Sequence, residues 1–194
     1  MAQPRRMAVD GARQRELIVD AAEALLADGA GTTISARTVT GKAGLKSQLL
    51  YYYFHTMDEL ILEVVRRIEA RRIRRLETAL AEPDPLLAIW EMNTDPAVTT
   101  LSSGILALAG RSRPVRDEII RAAREFRAMQ VKAVTQLLNE RGASVDPALV
   151  AGMIFIASAV MRTIDGEAAF GLSDGHEQAR EIIEKVIRCT GGAD

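Results

Sequence analysis

The stretch Ser35–Phe54, SARTVTGKAGLKSQLLYYYF, decides how the chain is read. It divides into a short polar helix, a turn marked by Gly44, and a second short helix ending in Tyr51, Tyr52, Tyr53 and Phe54. A small residue at such a turn lets two helices cross at a sharp angle. The second helix then stands out far enough to enter the major groove of duplex DNA. Val39, Ala43, Leu45 and Leu50 are spaced to pack the two helices together, which leaves Arg37, Lys46, Ser47 and Gln48 facing outward. The pattern predicts a helix-turn-helix with double-stranded DNA as its partner.

The flanking sequence supplies helices to support it. Residues 1–12 lack apolar periodicity and are expected to form a flexible arm carrying Arg5 and Arg6. From Arg13 to Asp28, Leu17, Ile18, Ala21, Ala22, Leu25 and Leu26 recur at helical spacing, and Gly29 follows where a left-handed cap ends a helix. Ser35 reads as the N-cap of the next helix. Thr56-x-x-Glu59 matches a capping box, and the apolar positions from Leu60 to Leu80 define a connecting helix over 57–81. Farther on, Asp84-Pro85, Asp95-Pro96 and Asp146-Pro147 each place a capping acid before a helix-opening proline; Ser112 and Pro114 give a looser version. Helices are expected over 85–93, 96–110, 114–140, 147–169 and 174–189. The fold class is all-α.

Composition agrees. Of 194 residues 48% are hydrophobic but only 4% aromatic, a balance that favours helices over sheets. The net charge of -1 excludes a polycation that binds nucleic acid by charge alone, so the DNA reading rests on local geometry. Cys189 is the single cysteine and lacks a catalytic partner, and the two histidines, His55 and His176, belong to no ligand cluster. No metal, cofactor or enzymatic role is expected. The longest uncharged apolar run, Pro147–Met161, is short for a bilayer span, and no apolar signal core follows Arg5 and Arg6. A cytoplasmic chain without a membrane partner is the expectation.

From Arg13 to Leu62 the sequence resembles the TetR family of bacterial transcriptional regulators. The residues that carry the likeness are Ile18, Ala21, Ala22, Gly29, Ser35, Val39, Lys42-Ala43-Gly44-Leu45, Leu50-Tyr51-Tyr52-Tyr53-Phe54, and Thr56, Asp58, Glu59 and Leu60. The resemblance implies three N-terminal DNA-binding helices (13–56), the connecting helix, and a six-helix regulatory part (84–192) that binds a small effector and dimerises. It implies a repressor, released from a palindromic operator when the effector moves the connecting helix; an activator of the same fold is the alternative. A helical-bundle enzyme or carrier without DNA binding is the distant one. Two positions depart from the family pattern. Leu49 stands where most members have threonine, and Met57 where most have lysine.

Roles follow residue by residue. Lys46, Ser47, Gln48 and Leu49 form the reading turn: Gln48 suits an adenine edge, Lys46 a guanine edge or phosphate, and Leu49 a thymine methyl. Tyr51 and Tyr52 are candidates to send hydroxyls to phosphates, or to pack on the first helix; Ser35, Arg37 and Thr56 complete the proposed contact set. Tyr53 and Phe54 read as structural. Trp90, Leu101, Ile105, Phe126, Met129 and Met153 are the candidate pocket for a hydrophobic effector, although such spacing also suits ordinary core. The apolar helix 147–169 and the last helix are expected to pair with a second copy through Ile156, Val160, Ile183, Val186 and Ile187.

Overall fold

The computed structural model describes residues 3–28, 34–95, 101, 104–110 and 112–191, and among these every regular element is a helix. In chain order they are α1 (Gln3–Ala27), α2 (Ala36–Ala43), α3 (Ser47–Tyr53), α4 (Met57–Leu80), α5 (Pro85–Thr94), α6 (helical at 101 and over 104–108), α7 (Arg113–Glu140), α8 (Pro147–Ala168) and α9 (His176–Gly191). They form two compact units. The first comprises Met1–Glu69 and Thr100–Ala122, the second Ala70–Thr99 and Ala123–Asp194.

The core of the first unit is continuous. Ile18, Ala22 and Leu26 of α1, Val39 of α2, Leu50 of α3, Leu60 and Val64 of α4, and Leu108 are all without solvent exposure. Each large apolar side chain so buried contributes about 1.5–3 kcal/mol. Exposed ion pairs contribute only about 0–1 kcal/mol each, so the apolar contacts hold this unit together. Arg67 of α4 ties itself to α1 through Asp20 at 2.6 Å and Glu16 at 3.3 Å. Partial burial opposes its charge, but Asp20, Glu23 and Glu16 outweigh that and raise its pKa further. Glu118 of α7 receives Arg66 at 3.2 Å and Arg121 at 2.8 Å. Its pKa is lowered first by the Arg121 hydrogen bond; burial works the other way and Arg66 adds to the lowering.

Two sequence expectations change here. The arm over residues 1–12 is not separate from the first helix, because α1 begins at Gln3. Pro4 falls in the first turn, where its missing N–H has no intrahelical partner to lose. Leu17 is 39% exposed, so the buried stripe of α1 runs through Ile18, Ala21, Ala22 and Leu26 instead. Gly29 and Pro96 lie outside the described residues.

In the second unit, capping followed the local chemistry. Asp84 accepts the Leu87 N–H and Asp146 the Ala148 N–H, each before a proline at the start of its helix. Asp95 pairs with Arg75 at 2.8 Å. The core has three parts: Leu76, Ala79, Ile89 and Phe126; Leu86, Leu138 and Val150; and Trp90, Met161 and Ile164. Arg72 stacks 4.1 Å over the Phe126 ring. Gly171 and Gly175, both at φ 79°, turn the chain between α8 and α9, and His176 meets Glu167 across that turn at 2.7 Å.

The helix α8 is longer than the apolar run that stopped at Met161. It is 22 residues long and contains an 18-residue window of mean hydropathy 1.8, enough to cross a membrane by length and composition. The sequence argument against a span therefore does not hold for the helix as folded. Val150, Met161 and Ile164 nevertheless bury one face in the unit's own core, while Leu149, Phe155 and Ile156 stay more than half exposed.

Candidate nucleic-acid interface

The first unit builds a rigid corner from α2 and α3. Ser35 caps α2 by accepting the Thr38 N–H at 3.2 Å, and the Thr38 hydroxyl accepts the Ser35 N–H at 2.9 Å. At the other end Gly44 adopts φ 68° and ψ 28°, a left-handed conformation that costs a residue with a Cβ about 1–2 kcal/mol. The Leu45 N–H then reaches back to the Thr40 carbonyl at 2.9 Å, and the Gly44 N–H to Gly41 at 3.3 Å. This paired bonding closes the helix and turns the chain into α3. Leu45 packs against the core beyond it.

A second link was not anticipated from sequence. The Thr40 side chain is 2% exposed; its hydroxyl donates to the Ala36 carbonyl at 2.7 Å and lies 3.1 Å from the Ser47 hydroxyl. The first residue of α3 is thereby joined to α2. Ser47 holds the corner as well as facing out of it. The signal available in sequence was a threonine directly after a core valine, which also fits an ordinary helix.

The faces of α3 are sharply divided. Leu50 is buried, Phe54 is 3% exposed with Arg15 stacked 4.9 Å over its ring, and the Tyr53 hydroxyl donates to Gln14 of α1 at 3.0 Å. On the opposite side Lys46, Ser47 and Gln48 are exposed, Tyr51 is 51% exposed and Tyr52 75% exposed. Leu49 is half-buried beside them. Tyr51 and Tyr52 therefore leave half or more of their surface to solvent. Tyr53 and Phe54 are structural, as the sequence suggested.

Around this face stand Arg37 and Thr56, both exposed, and Ser35, whose side chain is engaged in the α2 cap. Thr56 accepts the Glu59 N–H at 3.1 Å, but the Glu59 carboxylate reaches one residue past the expected partner, to the His55 N–H at 2.7 Å. That bond lowers the Glu59 pKa below its ordinary value of 4.5; desolvation opposes it, and His55's ring and the Thr56 backbone add to the lowering.

The candidate effector residues do not share one place. Leu101 and Ile105 pack on the core of the first unit, whereas Trp90, Phe126, Met129 and Met153 lie in the second. There Phe126 is buried in its own cluster and Met129 is 37% exposed. Only Trp90 and Met153 line the cavity of about 300 Å³ found in that unit. Its other walls include Ile156, Ile183, Val186 and Ile187, residues assigned from sequence to the dimer surface. Val160, Ile183 and Ile187 pack partly on the Trp90 cluster, so the dimer residues left more exposed are Ile156 and Val186. The sequence could not separate these sets, because helical spacing gives the facing direction but not the neighbour across it.

No family model matches the sequence, and no curated protein matches it. Solved structures do. A protein assigned to the TetR family of transcriptional regulators from Mesorhizobium loti superposes with a TM-score of 0.67 at 19% identity, over 93% of this chain and 96% of that one. The fatty acid degradation regulator FadR from Bacillus halodurans gives 0.68 at 13% identity, over 92% and 98%. EbrR, a multidrug binding protein solved with imidazole, gives 0.59 at 19% identity, over 89% and 93%.

Proposed function

We propose that the chain, which has the all-helical fold of the TetR-family regulators it superposes on along nearly its whole length, is a DNA-binding transcriptional regulator. The observation that carries the reading is the division of α3: Leu50, Tyr53 and Phe54 anchor it, while Lys46, Gln48, Tyr51 and Tyr52 are left to solvent on one face. A packing helix of seven residues has no use for two exposed tyrosines; a helix seated in the major groove does. In this account Lys46, Ser47, Gln48 and Leu49 read base edges, while Tyr51, Tyr52, Arg37 and Thr56 hold phosphates. Ser35 acts through its cap, by fixing α2.

The proposed form is a homodimer on a palindromic operator, repressing until an effector enters the second unit. The exposed apolar residues of α8 and α9, among them Ile156 and Val186, support dimerisation, and twofold symmetry places two α3 helices about one DNA turn apart. A ligand releases DNA only if it binds the DNA-incompetent arrangement more tightly. The cavity beside Trp90 supports effector binding, and EbrR, of the same fold, is a ligand-binding protein.

The test is selection of bound duplexes from a randomised pool. The wild-type chain should enrich an inverted repeat, and Gln48→Ala should relax preference at one position per half-site by about 1–3 kcal/mol. Enrichment of no sequence, or an identical preference in the variant, would remove α3 from the readout.

A further inference from the structure

The cavity of the second unit has an unusual wall. Among the described residues its lining holds no ionisable side chain; the polar groups are Asn93 and Ser158. Ser158 is satisfied locally, its hydroxyl donating to the Ile154 carbonyl at 2.7 Å. Asn93 is pinned by the Gln130 amide at 3.2 Å, with Gln130 only 4% exposed. Whichever way those two amides are turned, one hydrogen-bonding group of Asn93 is left over for a ligand. A charged ligand would lose its hydration here without gaining a counter-ion, which disfavours carboxylates and ammonium ions strongly.

One flank of the cavity is also surface. Met153, Ile156, Ile182 and Val186 line it, yet they are 39%, 61%, 63% and 47% exposed. On α8 they continue a row, Leu149, Met153, Ile156 and Val160, spaced four, three and four residues apart. That is the repeat by which two helices interlock side chain into gap. A lipid surface imposes no such spacing, and a helix that faced lipid would not need Met161 and Ile164 buried on its other side. The occupant that fits is a second helical surface of the same kind.

Building on the dimer proposed above, we infer that the cavity is a composite site: it takes a neutral amphipathic ligand, apolar chain against the aliphatic lining and hydroxyl or amide head on Asn93, and a second copy of this chain seals it. The ligand and the partner share the wall made by Met153, Ile156, Ile182 and Val186. Ligand binding therefore strengthens dimerisation, and dimerisation strengthens ligand binding by the same factor.

The experiment uses the full chain with octan-1-ol, octanoate and octylammonium in titration calorimetry, alongside sedimentation across a dilution series. Octan-1-ol should bind more tightly than either ion and should shift the wild-type equilibrium toward dimer. Asn93→Leu should weaken octan-1-ol about two- to tenfold, the loss of one hydrogen bond. Leu149→Glu, at a position 64% exposed and outside the cavity wall, should give a helical monomer that binds octan-1-ol at least tenfold more weakly. The inference is overturned by any of several results: a Leu149→Glu chain that stays dimeric, a monomer that binds octan-1-ol as tightly as wild type, tighter binding of octanoate, or transfer of the wild-type chain to phosphatidylcholine vesicles. An unaltered dimer constant in octan-1-ol has the same force. None of these readouts involves DNA, so failure of the regulator reading would show separately, as absence of sequence-specific binding by a chain that still binds octan-1-ol.

Discussion

Gly104 and Gly41 set up the same substitution with opposite outcomes. At Gly104 an added Cβ would stand 2.6 Å from the Leu26 carbonyl oxygen and 3.3 Å from its carbon. These are backbone atoms of α1 and cannot swing aside, so either α1 or the 104–108 helix must move. Overpacking of this kind costs about 1–3 kcal/mol, against which alanine's better helix propensity returns about 0.5–1 kcal/mol. A backbone oxygen at 2.6 Å puts the cost in the upper half of that range, so Gly104→Ala should lose about 1–2.5 kcal/mol net, or about 2–4 °C in Tm for each kcal/mol in a chain of this size. At Gly41, inside α2, a Cβ meets nothing within 4 Å. Gly41→Ala should gain about 0.5–1 kcal/mol. Urea unfolding followed by circular dichroism, at one fixed protein concentration because the proposed dimerisation would add to apparent stability, compares the two. A Gly104→Ala chain as stable as wild type would refute the close approach of α6 to α1, and a destabilised Gly41→Ala would refute the open face of α2.

Four further outcomes follow from the same geometry. Tyr53→Phe removes the bond to Gln14 and should cost about 0.5–1.5 kcal/mol of stability while leaving DNA affinity nearly unchanged. Tyr52→Phe should do the reverse, leaving stability within about 0.5 kcal/mol and weakening DNA binding in a fluorescence anisotropy titration. Glu59 and Glu118 both have lowered pKa values in the folded chain, so the stability they supply is full above their unfolded value of 4.5 and is lost as pH falls through the folded ones. The double variant Glu59→Gln, Glu118→Gln should flatten the fall in Tm below pH 4.5; an unchanged acid slope would mean these bonds do not form. Thr40→Val should cost about 1 kcal/mol and free Ser47, read as lower stability with weaker DNA binding; unchanged DNA binding would make the Thr40–Ser47 link purely structural.

What the sequence revealed were the features whose cause is local. A glycine that must take φ 68°, a serine that caps by reaching three residues along, and acids before prolines each state their geometry within four residues. The α2–α3 corner is built from such features, so Gly44, Ser35 and the exposed side of α3 were legible. The start of α1 was not, because a polar stretch carries no periodicity whether or not it is helical. Nor was the Glu59 carboxylate's choice of the His55 N–H, which depends on the backbone angle of the preceding turn. The candidate effector residues were the least legible. Leu101 and Trp90 look alike as apolar positions on helices, and only the long-range packing sends one to the first unit's core and the other to the cavity.

The central claim, that α3 is a reading helix, meets its most direct test in a footprint. The full chain would be placed at low salt on the DNA flanking its own coding sequence, beside the double variant Gln48→Ala, Tyr52→Phe. The account predicts protection of an inverted repeat whose halves lie one or a whole number of helical turns apart, much weakened in the variant. Protection of no site by the wild-type chain, or equal protection by both, would contradict it.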